Sequence, residues 1–234
     1  MTIKGLKSPS MAAWKELFCQ IDSDKHWKEG RSAQSLAKFI LEHNGEDEII
    51  LAVNTILQND KVCMFSNAEI ECNCSFDCYH TPRRQDMGIW GETVNGKRLF
   101  VGIESKVDES FGPTVYEAIG EAVRYKEKHP RSKRVNRITE LCDNFGVTTE
   151  EAGQFRYQLF HYTAGTASVP DVDIHIMLTL VFKTDKYNED KGHQNRLDYE
   201  KFINRFFKER NNNWQLKKCL LPARPYAVCR VVGL

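Results

Sequence analysis

The sequence predicts an α/β sandwich, a mixed central sheet flanked by helices with extra helices at the N-terminus. Three observations carry this. The first quarter holds stretches whose apolar residues recur at helical spacing. Residues 62–107 change to apolar and alternating runs broken by an Asn-Gly turn. Beyond Pro113 helices return, interrupted by one strand apolar on both faces and closed by a last strand. Such an order is not the regular alternation of a doubly wound fold.

Taken in order, residues 9–20 lead a helix with Trp14, Leu17, Phe18 and Ile21 on one face. "GRSAQSLAKFILEHNG" predicts a second, with Ser32 as N-cap and Asn44-Gly45 as its stop. "EDEIILAVNTILQND" predicts a third through Ile49, Ile50, Val53, Ile56 and Leu57. Residues 62–75 read as one or two strands, and 86–94 and 97–107 as two more around "VNGK". Pro113 is expected in the first turn of a helix whose Val115, Ile119 and Val123 share a face, ending before Pro130. A shorter helix spans about 134–144, stopped by Phe145-Gly146. "TTEEAGQFRYQLFHYTAG" predicts one helix from a Thr148/Glu151 capping box to about Gly165. Residues 171–183 suit a central strand. "RLDYEKFINRFFKER" suits a helix through Phe202, Ile203, Phe206 and Phe207, "RNNNW" a polar loop, and "RPYAVCRVVG" the final strand.

The chain has 234 residues, enough for one domain: a helical part over 1–60 and the sheet-bearing core over 61–234. A formal net charge of +1 excludes an overall basic protein, so any polyanion site must be a local patch. No apolar run approaches a membrane span and "MTIKGLKSPS" lacks a signal-peptide core, which predicts a cytoplasmic protein without a membrane partner. In that setting the eight cysteines are expected as buried thiols rather than a disulfide framework.

The stretch that carries chemistry is "KRLFVGIESKVDESFG" (97–112). Leu99, Val101, Ile103 and Val107 fall on one face of a strand; Phe100, Gly102, Glu104, Lys106 and Asp108 fall on the other. A charged row on a strand is either the wet side of a sheet or a site, because buried charge must be paired or hold a metal. Asp86 opens the preceding strand, 17 residues before Glu104. Two carboxylates on adjacent strands suit a hard divalent cation such as Mg²⁺, or Mn²⁺. A neighbouring lysine can orient water and offset phosphoryl charge. Hairpin parity sets a condition. A two-residue turn at Asn95-Gly96 points Asp86 away from Glu104; a three-residue loop over 94–96, with Gly96 in a bulge, sets them opposite.

D-x17-E-S-K across a hairpin, preceded by helices and followed by one, resembles the PD-(D/E)XK nuclease superfamily. "HWKEGRSAQSLAKFI", "ESKVDESFG" and "RYQLFHYTA" resemble a bacterial family of unknown function within it; the resemblance spans about residues 26–210. It implies a restriction-endonuclease-like αβββαβ core and metal-dependent cleavage of nucleic acid, with DNA the expected partner, in restriction or anti-phage defence. Asp86, Glu104 and the Ser105 carbonyl would be metal ligands and Lys106 the catalytic lysine. Gln85 stands where the superfamily usually has proline. Gln158 and Tyr162 resemble the Q-x-x-x-Y element of RecB-like nucleases, Gln158 reading as functional and Tyr162 as core packing. A third acidic group is expected from Glu69 or Glu71, with nothing to select one.

Arg83 and Arg84, beside Asp86, are expected phosphate contacts, as are Arg131, Lys133 and Arg134 within the basic run 124–137. A homodimer would suit cutting of both strands. Two other classes stay open: a nuclease-fold subunit that binds or assembles without cutting, and a zinc-stabilised interaction domain built on Cys72, Cys74, Cys78 and His80.

Overall fold

The structure, a computed structural model, describes residues 1–79, 82–210, 213–217 and 219–234. Among them eight strands form one sheet in the order β1-β2-β3-β4-β5-β8-β7-β6. The strands are β1 (Thr2–Ile3), β2 (Val62–Cys74), β3 (Arg83–Thr93), β4 (Arg98–Lys106), β5 (Ile174–Lys183), β6 (Phe207–Arg210), β7 (Asn213–Leu216) and β8 (Tyr226–Gly233). Pairing is parallel at β1-β2, β4-β5 and β5-β8 and antiparallel elsewhere, so the sheet is mixed.

Helices α1 (Met11–Ile21), α2 (Ser32–Glu42) and α3 (Gly45–Leu57) cover one face. Trp14, Leu36, Phe39, Ile49 and Val53 pack there against Leu99, Val101, Ile103, Ile176 and Leu178. Helices α4 (Val115–Lys128), α5 (Arg134–Asn144), α6 (Thr149–Ala152), α7 (Tyr157–Ala167) and α8 (Glu189–Phe206) form the other core, which takes Met177 from β5. Successive β5 residues thus feed opposite cores, as a central strand requires. The αβββαβ succession runs from α3 through β2, β3 and β4 to α7 and β5, with α4–α6 inserted before α7. Phe145, Phe155, Phe160, Phe202 and Phe206 meet at centroid distances of 4.9–6.5 Å and hold α5, α7 and α8 together.

Several boundaries differ from expectation. Arg31, not Ser32, is the N-cap of α2; the Ser32 N–H and hydroxyl donate to Glu109 from beyond β4, so a distant carboxylate takes the capping role. Pro113 lies outside α4, whose N-cap is Thr114 in a capping box with Glu117; the Pro113 carbonyl accepts from Tyr157 N–H. The buried face of α4 is Val115, Ala118 and Ala122, and Val123 is exposed. The helix expected from Thr148 breaks into α6 and α7. Residues 153–156 interrupt the helix to pair with the start of α4, through Val115 N–H to Phe155 O and Tyr116 N–H to Gly153 O. Phe207 starts β6 rather than continuing α8, and Asn213 and Trp214 of the expected loop lie in β7; Asn211 and Asn212 fall outside the described residues.

Candidate active site

The β3–β4 hairpin has the parity that a site requires. Thr93 N–H donates to Lys97 O at 2.9 Å and Gly96 N–H to Thr93 O at 2.9 Å, with Gly96 at φ 74°. Pairs run from Glu92–Arg98 to Met87–Ile103, and the same register continued sets Asp86 opposite Glu104. On the other side, Ile70 pairs with Met87 and Cys72 with Gln85, so Glu71 stands opposite Asp86. Glu71, Asp86 and Glu104 therefore form a row across three strands.

The alternation of faces breaks at this row. Ile70 and Met87 belong to the core under α1–α3. Two residues on, Cys72 packs with Phe100, while Gln85 reaches across to Thr166 of α7 at 3.0 Å. Glu71 absorbs the break at φ 48°, in the left-handed region that a side chain enters at a cost. Its conformation is what selects Glu71 over Glu69, which pairs with Gly88 and binds Lys4 at 3.0 Å.

The charged face of β4 is not a wet sheet surface. Glu104, Lys106 and Asp108 are 2%, 8% and 5% exposed. Helix α7 covers Glu104 and Lys106, seated by Tyr162, whose buried hydroxyl donates to Gly102 O at 2.7 Å, while Asp108 is held by Arg31 and Lys191. Gly102 has no room for a Cβ, which would strike the Gln85 side chain and lie 2.8 Å from Thr166 Oγ1. That close approach lets α7 deliver Gln158 one turn earlier.

Glu104 sits at the centre. Its Oε1 accepts from Gln158 Nε2 at 2.6 Å and lies 3.0 Å from Lys106 Nζ, while Oε2 is paired with Arg83. Lys106 Nζ also donates to Gln158 Oε1 at 3.2 Å and lies 5.2 Å from the Phe111 ring centroid. Asp86 Oδ2 accepts from both the N–H and the hydroxyl of Ser105, each at 2.6 Å. Burial would raise the Glu104 carboxyl, but the Arg83 and Lys106 charges hold it below its usual range. Asp86 goes the other way: burial and the neighbouring Glu104 charge push it up to about 6. Burial, Asp86 and Asp22 push Glu71 up to about 8. The row thus has a neutralised end at Glu104 and an uncompensated end at Glu71 and Asp86.

Among the described residues no three His, Cys, Asp or Glu side chains converge as a ready metal cage. Mg²⁺ asks for less, commonly one or two carboxylates completed by water and substrate phosphate. The residues fit that requirement at Asp86, whose raised carboxyl is what a nearby cation would relieve. At Glu104 a cation would take the place that the Arg83 guanidinium holds.

The expected site residues thus divide. Asp86, Glu104, Ser105, Lys106 and Gln158 come together, and Tyr162 packs as core. Arg83, expected to meet phosphate, is instead turned inward onto Glu104. Arg84 is exposed, with its guanidinium on the Ile21 carbonyl at 3.1 Å. Arg131, Lys133 and Arg134 are exposed around the α4–α5 turn, Arg134 over the Tyr125 ring at 3.8 Å, with no bond to the carboxylate row. Cys72 and Cys74 are buried and Cys78 is exposed; His80 lies outside the described residues. The Cys72 thiol is held well above its ordinary range by its bond with Cys74 and by burial, the state of an inert thiol.

Comparison with known families matches residues 7–230 to one described as a domain of unknown function (DUF6946), and the chain belongs to that family. No curated protein and no solved structure matches it. No helix among the described residues is long and apolar enough to cross a membrane.

Proposed function

We propose that this protein hydrolyses phosphodiester bonds of nucleic acid, DNA foremost, with Mg²⁺ or Mn²⁺ held by Asp86, Glu104 and the Ser105 carbonyl. The observation that supports it best is the buried Glu104–Lys106 pair, bridged by the half-buried Gln158, beside Asp86 on a strand whose other face is core. Charges are kept at such depth at a cost, which a catalytic role explains. When bound, the cation supplies Lewis-acid polarisation of a phosphoryl oxygen. Lys106 orients the attacking water and offsets charge as its oxygen bonds to phosphorus and the bond to the leaving oxygen breaks. Gln158 fixes Lys106 and Glu104 together, one amide group bonding each. A homodimer in the cytoplasm would offer two such sites to opposite strands. The likeness to PD-(D/E)XK nucleases supports the same reading.

A second reading, a subunit of this fold that binds nucleic acid without cutting, is favoured by one contact: Arg83 fills the Glu104 oxygen that a metal would need. Cleavage of plasmid and linear DNA in Mg²⁺ or Mn²⁺, against EDTA, decides between them. A Glu104→Ala protein, with Glu104→Gln as the isosteric companion, is expected to lose at least about 10²-fold in rate. Cutting that survives both substitutions places the chemistry elsewhere. DNA bound but never cut by the wild type favours the second reading.

A further inference from the structure

A cleft of about 700 Å³ lies where the segment before α2, the loop after β4 and the start of α8 meet. Five cations line it, Lys25, Lys28, Arg31, Arg156 and Lys191, in a chain whose formal net charge is only +1, and Arg156 is already paired with Asp198 at 2.7 Å. Its two carboxylates are already engaged. Asp108 pairs with Arg31 and stands 3.6 Å from Lys191. Glu109 accepts from Val107 N–H at 2.8 Å and from Ser32. Lys25 and Lys28 are exposed and carry no ion pair among the described residues.

The cleft adjoins the candidate active site at two points. Asp108 follows Lys106 by two residues, and Asn195 lines both the cleft and the cavity of about 420 Å³ that contains Lys106. On the other flank His26 bonds Asp22 at 2.8 Å, and the Asp22 charge reaches Glu71. Among the described residues no Phe, Tyr or Trp lines the cleft, and its one ring, His26, is tied to Asp22, so it offers little for a base to stack on.

We propose that this cleft holds the phosphodiester backbone of the nucleic acid, gripping phosphates by charge and reading no bases. It rests on the reading above, since it names where that substrate lies. It also moves the phosphate grip from the α4–α5 turn to the N-terminal segment and α8. A cleft that recognises only backbone binds different sequences alike and weakens steeply with salt.

The test is fluorescence anisotropy with a labelled duplex DNA of about 30 base pairs, in EDTA so that cutting does not intervene. Lys25→Glu/Lys28→Glu is expected to weaken binding at least about tenfold at physiological salt and to flatten the salt dependence by about two phosphate contacts. Arg131→Glu/Lys133→Glu, at the competing surface, is expected to do less. Unchanged binding in the first protein, a larger loss in the second, or strong preference for one DNA sequence overturns the proposal. Plasmid cleavage by the same proteins separates the two readings. DNA held through the cleft but never cut leaves the cleft and removes hydrolysis. Cutting and binding untouched by Lys25→Glu/Lys28→Glu leaves hydrolysis and removes the cleft.

Discussion

Replacing Glu71 by glutamine removes one charge from the crowded end of the carboxylate row while keeping shape and hydrogen-bonding capacity. A carboxyl moved from an ordinary 4.5 to about 8 disfavours its ionised form in the folded protein. At about 1.4 kcal/mol per decade of proton affinity, the full cost at high pH is about 5 kcal/mol. Glu71 keeps part of its surface in water and shares its repulsion with Asp86, so about 2–3 kcal/mol is the expected gain from Glu71→Gln. The direction with pH follows from linkage. Above pH 8 both folded and unfolded Glu71 are ionised and the penalty is complete; as pH falls from 8 to 4.5 the folded form takes its proton first and the penalty disappears. Urea unfolding at pH 9 and pH 5, without divalent metal, reads this directly. The variant should be more stable at pH 9, with the gain shrinking to about 0.5 kcal/mol or less at pH 5. A variant equally or less stable at pH 9, or a gain that does not depend on pH, would show that Glu71 carries no such penalty.

Other perturbations test the frame around the row. Tyr162→Phe deletes the hydroxyl donor that ties α7 to the Gly102 carbonyl, so urea unfolding should show a loss of about 0.5–1.5 kcal/mol. In the native protein a thiol reagent should label Cys63 and Cys78 quickly and leave Cys72, Cys74 and Cys142 silent until unfolding, with or without chelator. Labelling of Cys72 and Cys74 released by chelation would revive the zinc reading. Neutralising Asp86 as Asp86→Asn should also stabilise, with the difference fading as pH falls below about 6.

Much of this site is legible in sequence because strand parity is rigid. Asn95-Gly96 dictated a bulged loop or a two-residue turn, and only the loop places Asp86 across from Glu104; the left-handed Gly96 is that loop. The spacing of Gln158 and Tyr162 placed both on one face of α7, the first toward Lys106 and the second toward Gly102. Sequence does not separate Glu71 from Glu69 because parity fails locally: the left-handed backbone of Glu71 turns Ile70 and Cys72 to opposite cores, and no residue type announces that break. The pairing of Arg83 with Glu104 is illegible for a related reason, since proximity to Asp86 along the chain says nothing of which charge it meets across the sheet. The split between α6 and α7 depends on backbone bonds to Thr114–Tyr116, about forty residues away, and Val123 is exposed because Ala118 and Ala122 let α4 approach closely. The cationic cleft gathers residues from four distant segments whose charges are unremarkable one by one.

The proposed hydrolysis requires Lys106 to act on the phosphodiester rather than merely to balance Glu104. Lys106→Met keeps much of the side-chain length and removes the charge, so single-turnover DNA cleavage and Mn²⁺ binding measured on the same protein isolate its role. Mn²⁺ is expected to bind as tightly as in wild type or more tightly, since a cation beside Asp86 and Glu104 is gone, while cleavage falls by at least about 10²-fold. Cleavage within a few-fold of wild type, with metal still bound, would contradict it.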